Sequence, residues 1–273
     1  MSRLAKAFAT RTPKLVTYAT AGDPDQARSA DIVRAMARGG ADVIEIGVPF
    51  SDPIADGPAI QRASERALAA GATLATTLDM VEALRGEVDV PLVLFTYVNP
   101  VLRMGTEEFL RRASDAGVDG VLLLDLPIEE SETMHEALAK RGIDQIFLVS
   151  PTTTDERLRE AGRLGSGFLY AISRLGVTGA RDVVSTSAEP LVARIRAQTS
   201  LPVALGFGIS RPEHVREVTA FADAAVVGSA LVQTIADATK HGGDVAEHVE
   251  HFVKCLKGTA GMGFSRGVIS SAP

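Results

Sequence analysis

Short apolar runs recur eight times along the 273-residue chain, and a helical pattern follows each of them. The runs cover residues 15–20, 43–48, 92–98, 120–126, 145–149, 167–172, 202–207 and 224–227. They are rich in β-branched residues and nearly continuous in apolar character, the pattern of parallel strands covered on both faces. Helix signals fill the gaps. Asp23-Pro24 opens a helix that stops at Gly39-Gly40, and Thr106 opens one that stops at Gly117. The patterns at 131–140 and 154–163 stop at Gly142 and Gly165, and Pro212 opens another. Residues 73–85 read as an extra helix in the second unit, and 244–257 as a closing one. No linker or composition shift interrupts the alternation. Eight such units predict a closed (β/α)8 TIM barrel, a single α/β domain over 1–258, followed by a flexible C-terminal tail over 259–273. An open doubly wound sheet is the competing architecture. It would favour Gly-x-Gly-x-x-Gly after a strand, and Gly206-Phe-Gly208 supplies the first two glycines, but Arg211 stands at the third position.

Composition excludes several function classes. A net charge of −6 argues against a nucleic-acid partner, which calls for a basic face. Cys255 is the only cysteine, so no disulfide framework is possible and a reducing, cytoplasmic setting is expected. No apolar run approaches the roughly 18 residues that span a bilayer. The first residues lack the apolar core of a secretory signal.

In a barrel of this kind the chemistry sits on the loops after the C-terminal strand ends. None of the six lysines (Lys6, Lys14, Lys140, Lys240, Lys254, Lys257) falls at such an end, so Schiff-base chemistry has no candidate. The five histidines (His135, His214, His241, His248, His251) are read in helices or the last loop, which leaves no metal set at the strand ends. His248, His251 and Cys255 share one helix face, but that helix wraps the outside of the barrel, and a packing or solvated face is the better reading. Proton transfer is left to carboxylates and tyrosine.

Glu45 is the chief candidate. It lies in the second strand between Ile44 and Ile46, where burial would raise its pKa and let it take and give a proton near neutrality. Alternation alone leaves it pointing either into the barrel or toward the outer helices. Asp56, eleven positions on, sits in a long proline-rich loop and could be a second functional carboxylate or the N-cap of the next helix. Three glycine-bearing loops follow strands six, seven and eight: Thr178-Gly179, Gly206-Phe-Gly208 and Gly228-Ser229. Together they read as a phosphate cradle, with Ser229 opening a helix whose N–H groups face the anion, although tight turns alone would also use glycine.

Val43-Ile-Glu-Ile-Gly-Val-Pro-Phe-Ser-Asp-Pro-Ile-Ala-Asp-Gly-Pro58 closely resembles the signature segment of the tryptophan synthase alpha chain family. Ser173-Arg-Leu-Gly-Val-Thr-Gly179, Gly206-Phe-Gly-Ile-Ser210 and Gly228-Ser229 resemble its later motifs in order and spacing. The resemblance implies cleavage of indole-3-glycerol phosphate to indole and glyceraldehyde 3-phosphate. It assigns Glu45 as acid/base and Asp56 as the second essential carboxylate, places Tyr170 beside the substrate, and packs indole against Phe207. It gives the phosphate to Thr178, Gly179, Gly208, Gly228 and Ser229. Tyr18 stands where the family pattern has phenylalanine in the indole pocket. The resemblance also implies no cofactor in this chain and a pyridoxal-phosphate beta chain as partner, in an assembly of two alpha and two beta chains. Pro53, Asn99 and Pro100 would be its contacts. Sibling phosphate-binding barrels such as indole-3-glycerol phosphate synthase need a barrel lysine that is missing here. A free-standing indole-producing lyase and a catalytically silent regulatory barrel remain as alternatives.

Overall fold

The computed structural model describes residues 1–10, 12–173, 187–206 and 208–258. Eight parallel strands close into a barrel in chain order. They are β1 (Lys14–Thr20), β2 (Val43–Gly47), β3 (Leu92–Thr96), β4 (Gly120–Leu123), β5 (Asp144–Val149), β6 (Leu169–Ile172), β7 (Val203–Gly206) and β8 (Ala224–Val227). The closure is the β1–β8 pairing, with Lys14 opposite Ala224 and Thr17 opposite Val227. The expected architecture is therefore observed, and the open doubly wound sheet is not.

The helices in chain order are α1 (Arg3–Ala7), α2 (Gln26–Gly39), α3 (Pro58–Ala69), α4 (Leu74–Leu84), α5 (Val98–Met104), α6 (Thr106–Asp115), α7 (Glu132–Ala139), α8 (Asp155–Leu164), α9 (Ala188–Gln198), α10 (Pro212–Thr219), α11 (Ser229–Lys240) and α12 (Val245–Lys257). Their ends follow local chemistry. Asp25 caps α2 by accepting from the Arg28 N–H, and Gly40 ends it at φ 96°, a left-handed conformation that glycine adopts without strain. Thr73 and Thr76 form a reciprocal capping box on α4.

Two expected boundaries are corrected: the fourth run, 120–126, is extended only to Leu123, where a turn begins, and the third gives way to a helix. The third apolar run, 92–98, stays extended only to Thr96. The Val98 N–H then donates to Asp125 Oδ1 at 2.7 Å instead of entering a ladder, and α5 starts there. Asn99 and Pro100 consequently lie in a helix, not in a loop.

Two large apolar cores result among the described residues, beside a small third cluster of Tyr18, Ile60, Ala63 and Val232. The outer one joins Leu15, Ile44, Ile46, Leu92 and Leu94 of the strands to Ile32, Met36, Leu78, Phe109 and Val249 of the helices. The inner one fills the barrel with Val16, Val43, Val93, Leu122, Ile146, Phe168, Ala204, Ala224 and Val226. Leu4 of α1 joins that inner set and is wholly buried. Ser2 Oγ donates to Asp144 Oδ2 at 2.8 Å, Arg3 pairs with Asp119 at 3.1 Å, and Phe8 packs 5.5 Å from Phe168. Helix α1 thus plugs the floor of the barrel and leaves the C-terminal strand ends as the open mouth.

Helix α12, which carries His248, His251 and Cys255, packs on α2 outside the barrel. A Cβ on Gly39 would lie 2.6 Å from Val253 Cβ, and Arg38 pairs with Glu250 at 2.7 Å. Among the described residues no cluster of metal-ligating side chains occurs. No single described helix is long and apolar enough to cross a membrane.

Candidate active site

The parity of β2 decides where Glu45 points. Ile44 and Ile46 pack outward with the helices, and Val43 belongs to the inner core, so Glu45 faces into the barrel. It is 1% exposed, and its Oε1 has no hydrogen-bond partner. Burial alone pushes its carboxyl up to about 8. A structural ion pair on the outer face is thereby ruled out.

Asp56 ends the loop that follows β2. The cap of α3 is Gly57, which makes no side-chain cap bond, and Pro58 occupies the first turn. Asp56 is therefore not spent on capping. Its Oδ2 accepts from the Tyr97 hydroxyl at 3.2 Å, and its backbone carbonyl accepts from Gln61 Nε2 at 2.9 Å. Burial raises the Asp56 carboxyl to about 6, against the lowering effect of the Tyr97 hydrogen bond.

All three tyrosines of the chain converge on these two carboxylates. Tyr18, paired in register with Glu45, leans over Gly47, where a Cβ would clash with its hydroxyl. Its hydroxyl lies 3.3 Å from Thr20 Oγ1. Burial first, then the Asp56 and Glu45 charges, pushes this phenol well above its ordinary value. Tyr170 leans over Gly206 in the same way, and its phenol is raised by burial, Glu45 and Asp56 in that order. Glycine is required at both positions because any side chain would occupy the space of the ring.

Phe95, which the sequence reading did not single out, stands between the two tyrosines. It meets Tyr18 edge-on at 5.3 Å and lies 6.4 Å from Tyr170. Its inward parity with Val93 was the available signal. The three rings pack as one aromatic cluster, and the Glu45 charge bears on both of its tyrosines.

The glycine-bearing loops after β6, β7 and β8 are described in part. Gly208 adopts φ 69°, and Gly228 occupies the N-cap of α11 next to Tyr18. Ser229 opens α11, whose first turn has no acidic residue and no side-chain cap, which leaves its N–H groups to face an anion. Thr178, Gly179 and Phe207 lie outside the described residues.

Pro53 is half-buried on the Asp56 loop, Asn99 is exposed and Pro100 half-buried on α5. Two apolar residues that the sequence reading passed over flank them: Ile54 is 86% exposed and Leu102 is 63% exposed.

The family profile described as tryptophan synthase alpha chain matches residues 4–260. The tryptophan synthase alpha chain of Solibacter usitatus is 52% identical over 221 residues, covering 81% of this chain and 83% of that protein. That of Geotalea uraniireducens is 47% identical over 261 residues, covering 94% and 97%. A chain of the tryptophan synthase a2b2 complex from the hyperthermophile Pyrococcus furiosus, solved to explain mutual activation, superposes with a TM-score of 0.84 at 39% identity, covering 90% of this chain and 98% of that one. With this match along nearly its whole length, the chain belongs to the tryptophan synthase alpha chain family.

Proposed function

We propose that Glu45 and Asp56 together carry the cleavage of indole-3-glycerol phosphate to indole and glyceraldehyde 3-phosphate, the lyase reaction of the tryptophan synthase alpha subunit. The observation behind these residue roles is that two buried carboxylates with raised pKa values act on the same two phenols, Tyr18 and Tyr170, whose rings flank Phe95. Glu45, protonated below about 8, gives its proton to C3 of the indole ring and makes a cationic indolenine. Its carboxylate then takes the proton of the glycerol hydroxyl next to the scissile bond. The C–O bond becomes the aldehyde carbonyl, the C–C bond breaks, and its electron pair returns to the ring to restore neutral indole. Asp56, ionised above about 6, accepts the ring N–H and stabilises the positive charge that develops there. Gly208, Gly228 and Ser229, with Thr178 and Gly179, hold the phosphate, while Tyr18, Tyr170 and Phe207 pack the indole.

The sequence requires no cofactor for these steps in this chain. The partner is the tryptophan synthase beta chain, in an assembly of two alpha and two beta chains with pyridoxal phosphate held by the beta chain. Pro53, Asn99 and Pro100 are its contacts in this reading, which the exposed Ile54 and Leu102 beside them support over a free-standing lyase. A silent barrel has no use for the two carboxylates. The single thiol, Cys255, supports a cytoplasmic setting.

Glu45→Gln and Asp56→Asn test the assignment. Each should lower turnover of indole-3-glycerol phosphate at least ~100-fold while binding of glycerol 3-phosphate persists. Near-normal turnover in Glu45→Gln would remove it from the mechanism.

A further inference from the structure

The residue that touches Asp56 belongs to another strand unit. Tyr97 follows β3, is 3% exposed, and stacks 5.0 Å from Phe50 of the Asp56 loop. Its hydroxyl makes two bonds with fixed direction. The Ala55 N–H donates to the phenol oxygen at 3.1 Å. With that oxygen engaged as an acceptor, its own hydrogen is free to go to Asp56 Oδ2, 3.2 Å away. An O–H donor stabilises a carboxylate more than a neutral acid. The backbone beside Tyr97 is held too, because Asp125 Oδ1 accepts from the Val98 N–H at 2.7 Å. Three strand units thus converge on one carboxylate.

We infer that Tyr97 is the positioning residue of Asp56, holding it ionised and aimed into the mouth through this two-way hydroxyl contact. The inference rests on Asp56 being the second carboxylate of the reaction. Phe50 and Ala55 fix the ring and the oxygen, and the carboxylate receives the only proton the hydroxyl has. Asp125, from the loop after β4, is the other charge that bears on Tyr97, while the Asp56 charge, with that of Glu45 from β2, bears on Tyr18 of β1 and Tyr170 of β6. Among the described residues only Tyr97 donates a hydrogen bond to the Asp56 side chain, so none of these groups replaces its hydroxyl. Loss of the hydroxyl must move the Asp56 proton equilibrium upward.

Tyr97→Phe keeps the ring and its stacking on Phe50 and removes only the hydroxyl. The expected result near neutral pH is a roughly tenfold lower kcat with KM changed less than about twofold, and an acidic limb of the kcat profile moved to higher pH. Carboxyl NMR of 13C-labelled protein provides a second reading that does not need turnover: the Asp56 resonance should titrate at higher pH in Tyr97→Phe than in the unsubstituted chain. An unchanged Asp56 titration overturns the inference, as does a kcat profile that merely scales down without moving. Asp56→Asn, assayed in parallel, separates the two ideas. Full turnover in Asp56→Asn would sink the role of Asp56 itself, and with it the catalytic meaning of Tyr97, even if the NMR shift is present.

Discussion

Glu45 keeps its proton to about pH 8 in the folded barrel, whereas an exposed glutamate releases it near 4.5. Between those values the unfolded chain binds fewer protons than the native one, so the contribution of Glu45 to stability falls as pH rises. It is fully present below about 4.5 and lost by about 8. The slope is about 1.4 kcal/mol per pH unit at its steepest. Asp56 acts with the same sign over a lower window, from 3.8 to about 6. Comparing the native chain with Glu45→Gln isolates the first effect. Urea unfolding from pH 5 to pH 8 should show the native chain losing stability relative to Glu45→Gln, by on the order of 3 kcal/mol across the range. A difference that stays flat with pH would mean that Glu45 is not the buried neutral acid described. The residue type and place of Glu45 were legible in the sequence, but its direction was not. In a strand covered on both faces, Val43, Ile44 and Ile46 read alike, and only the packing of Ile44 and Ile46 on the helices sets the parity. The role of Tyr97 was not legible in the sequence, because its partner Asp56 is 41 positions away.

At the scale of elements, the strands and most helices were readable because the barrel repeats one unit and several units carry their own cap or glycine stop, as α2 does with Asp25 and Gly40. Helix α5 was hidden for a physical reason: its first residue continues an apolar run, and the break comes from Asp125 on a different strand unit. Helix α1 is five residues long and has no amphipathic period to detect. Its function is clear only in packing. Leu4 enters the barrel axis among Val16, Val43, Val93, Leu122, Ile146 and Phe168. Gly120 and Gly167 make room for it, since a Cβ on either would lie 3.0 or 3.1 Å from Leu4 Cδ1. Leu4→Ala should therefore destabilise the fold by about 3 kcal/mol, the cost of a buried leucine with a cavity left behind. Turnover should stay near normal, because the Val43 layer separates Leu4 from Glu45. Equilibrium unfolding together with steady-state kinetics checks both halves. Lowered turnover at unchanged stability would show that the floor and the mouth are not independent.

For the whole molecule, the end of the barrel that does the chemistry is also the end that offers apolar surface. Helix α1 closes the other end, so indole, small and apolar, leaves through the mouth. Ile54 sits two residues from Asp56, and Leu102 sits on α5, whose N-cap residue is Tyr97, the hydroxyl partner of Asp56. A beta chain that covers Ile54, Pro53, Asn99, Pro100 and Leu102 therefore presses on both supports of the Asp56 carboxylate at once. Docking should narrow its positions and raise turnover by shifting the population toward the arranged site. A tenfold rise requires only about 1.4 kcal/mol of barrier lowering. Titrating the cognate beta chain into the lyase assay should give saturable activation. Ile54→Asp and Leu102→Asp should each move the midpoint to higher beta-chain concentration, because each buries an unpaired charge in the interface, yet leave turnover of the isolated chain near its starting value. Absence of activation, with no complex seen by light scattering at micromolar concentrations of both chains, would show that this barrel works alone. Activation that neither substitution weakens would move the docking face elsewhere on the molecule.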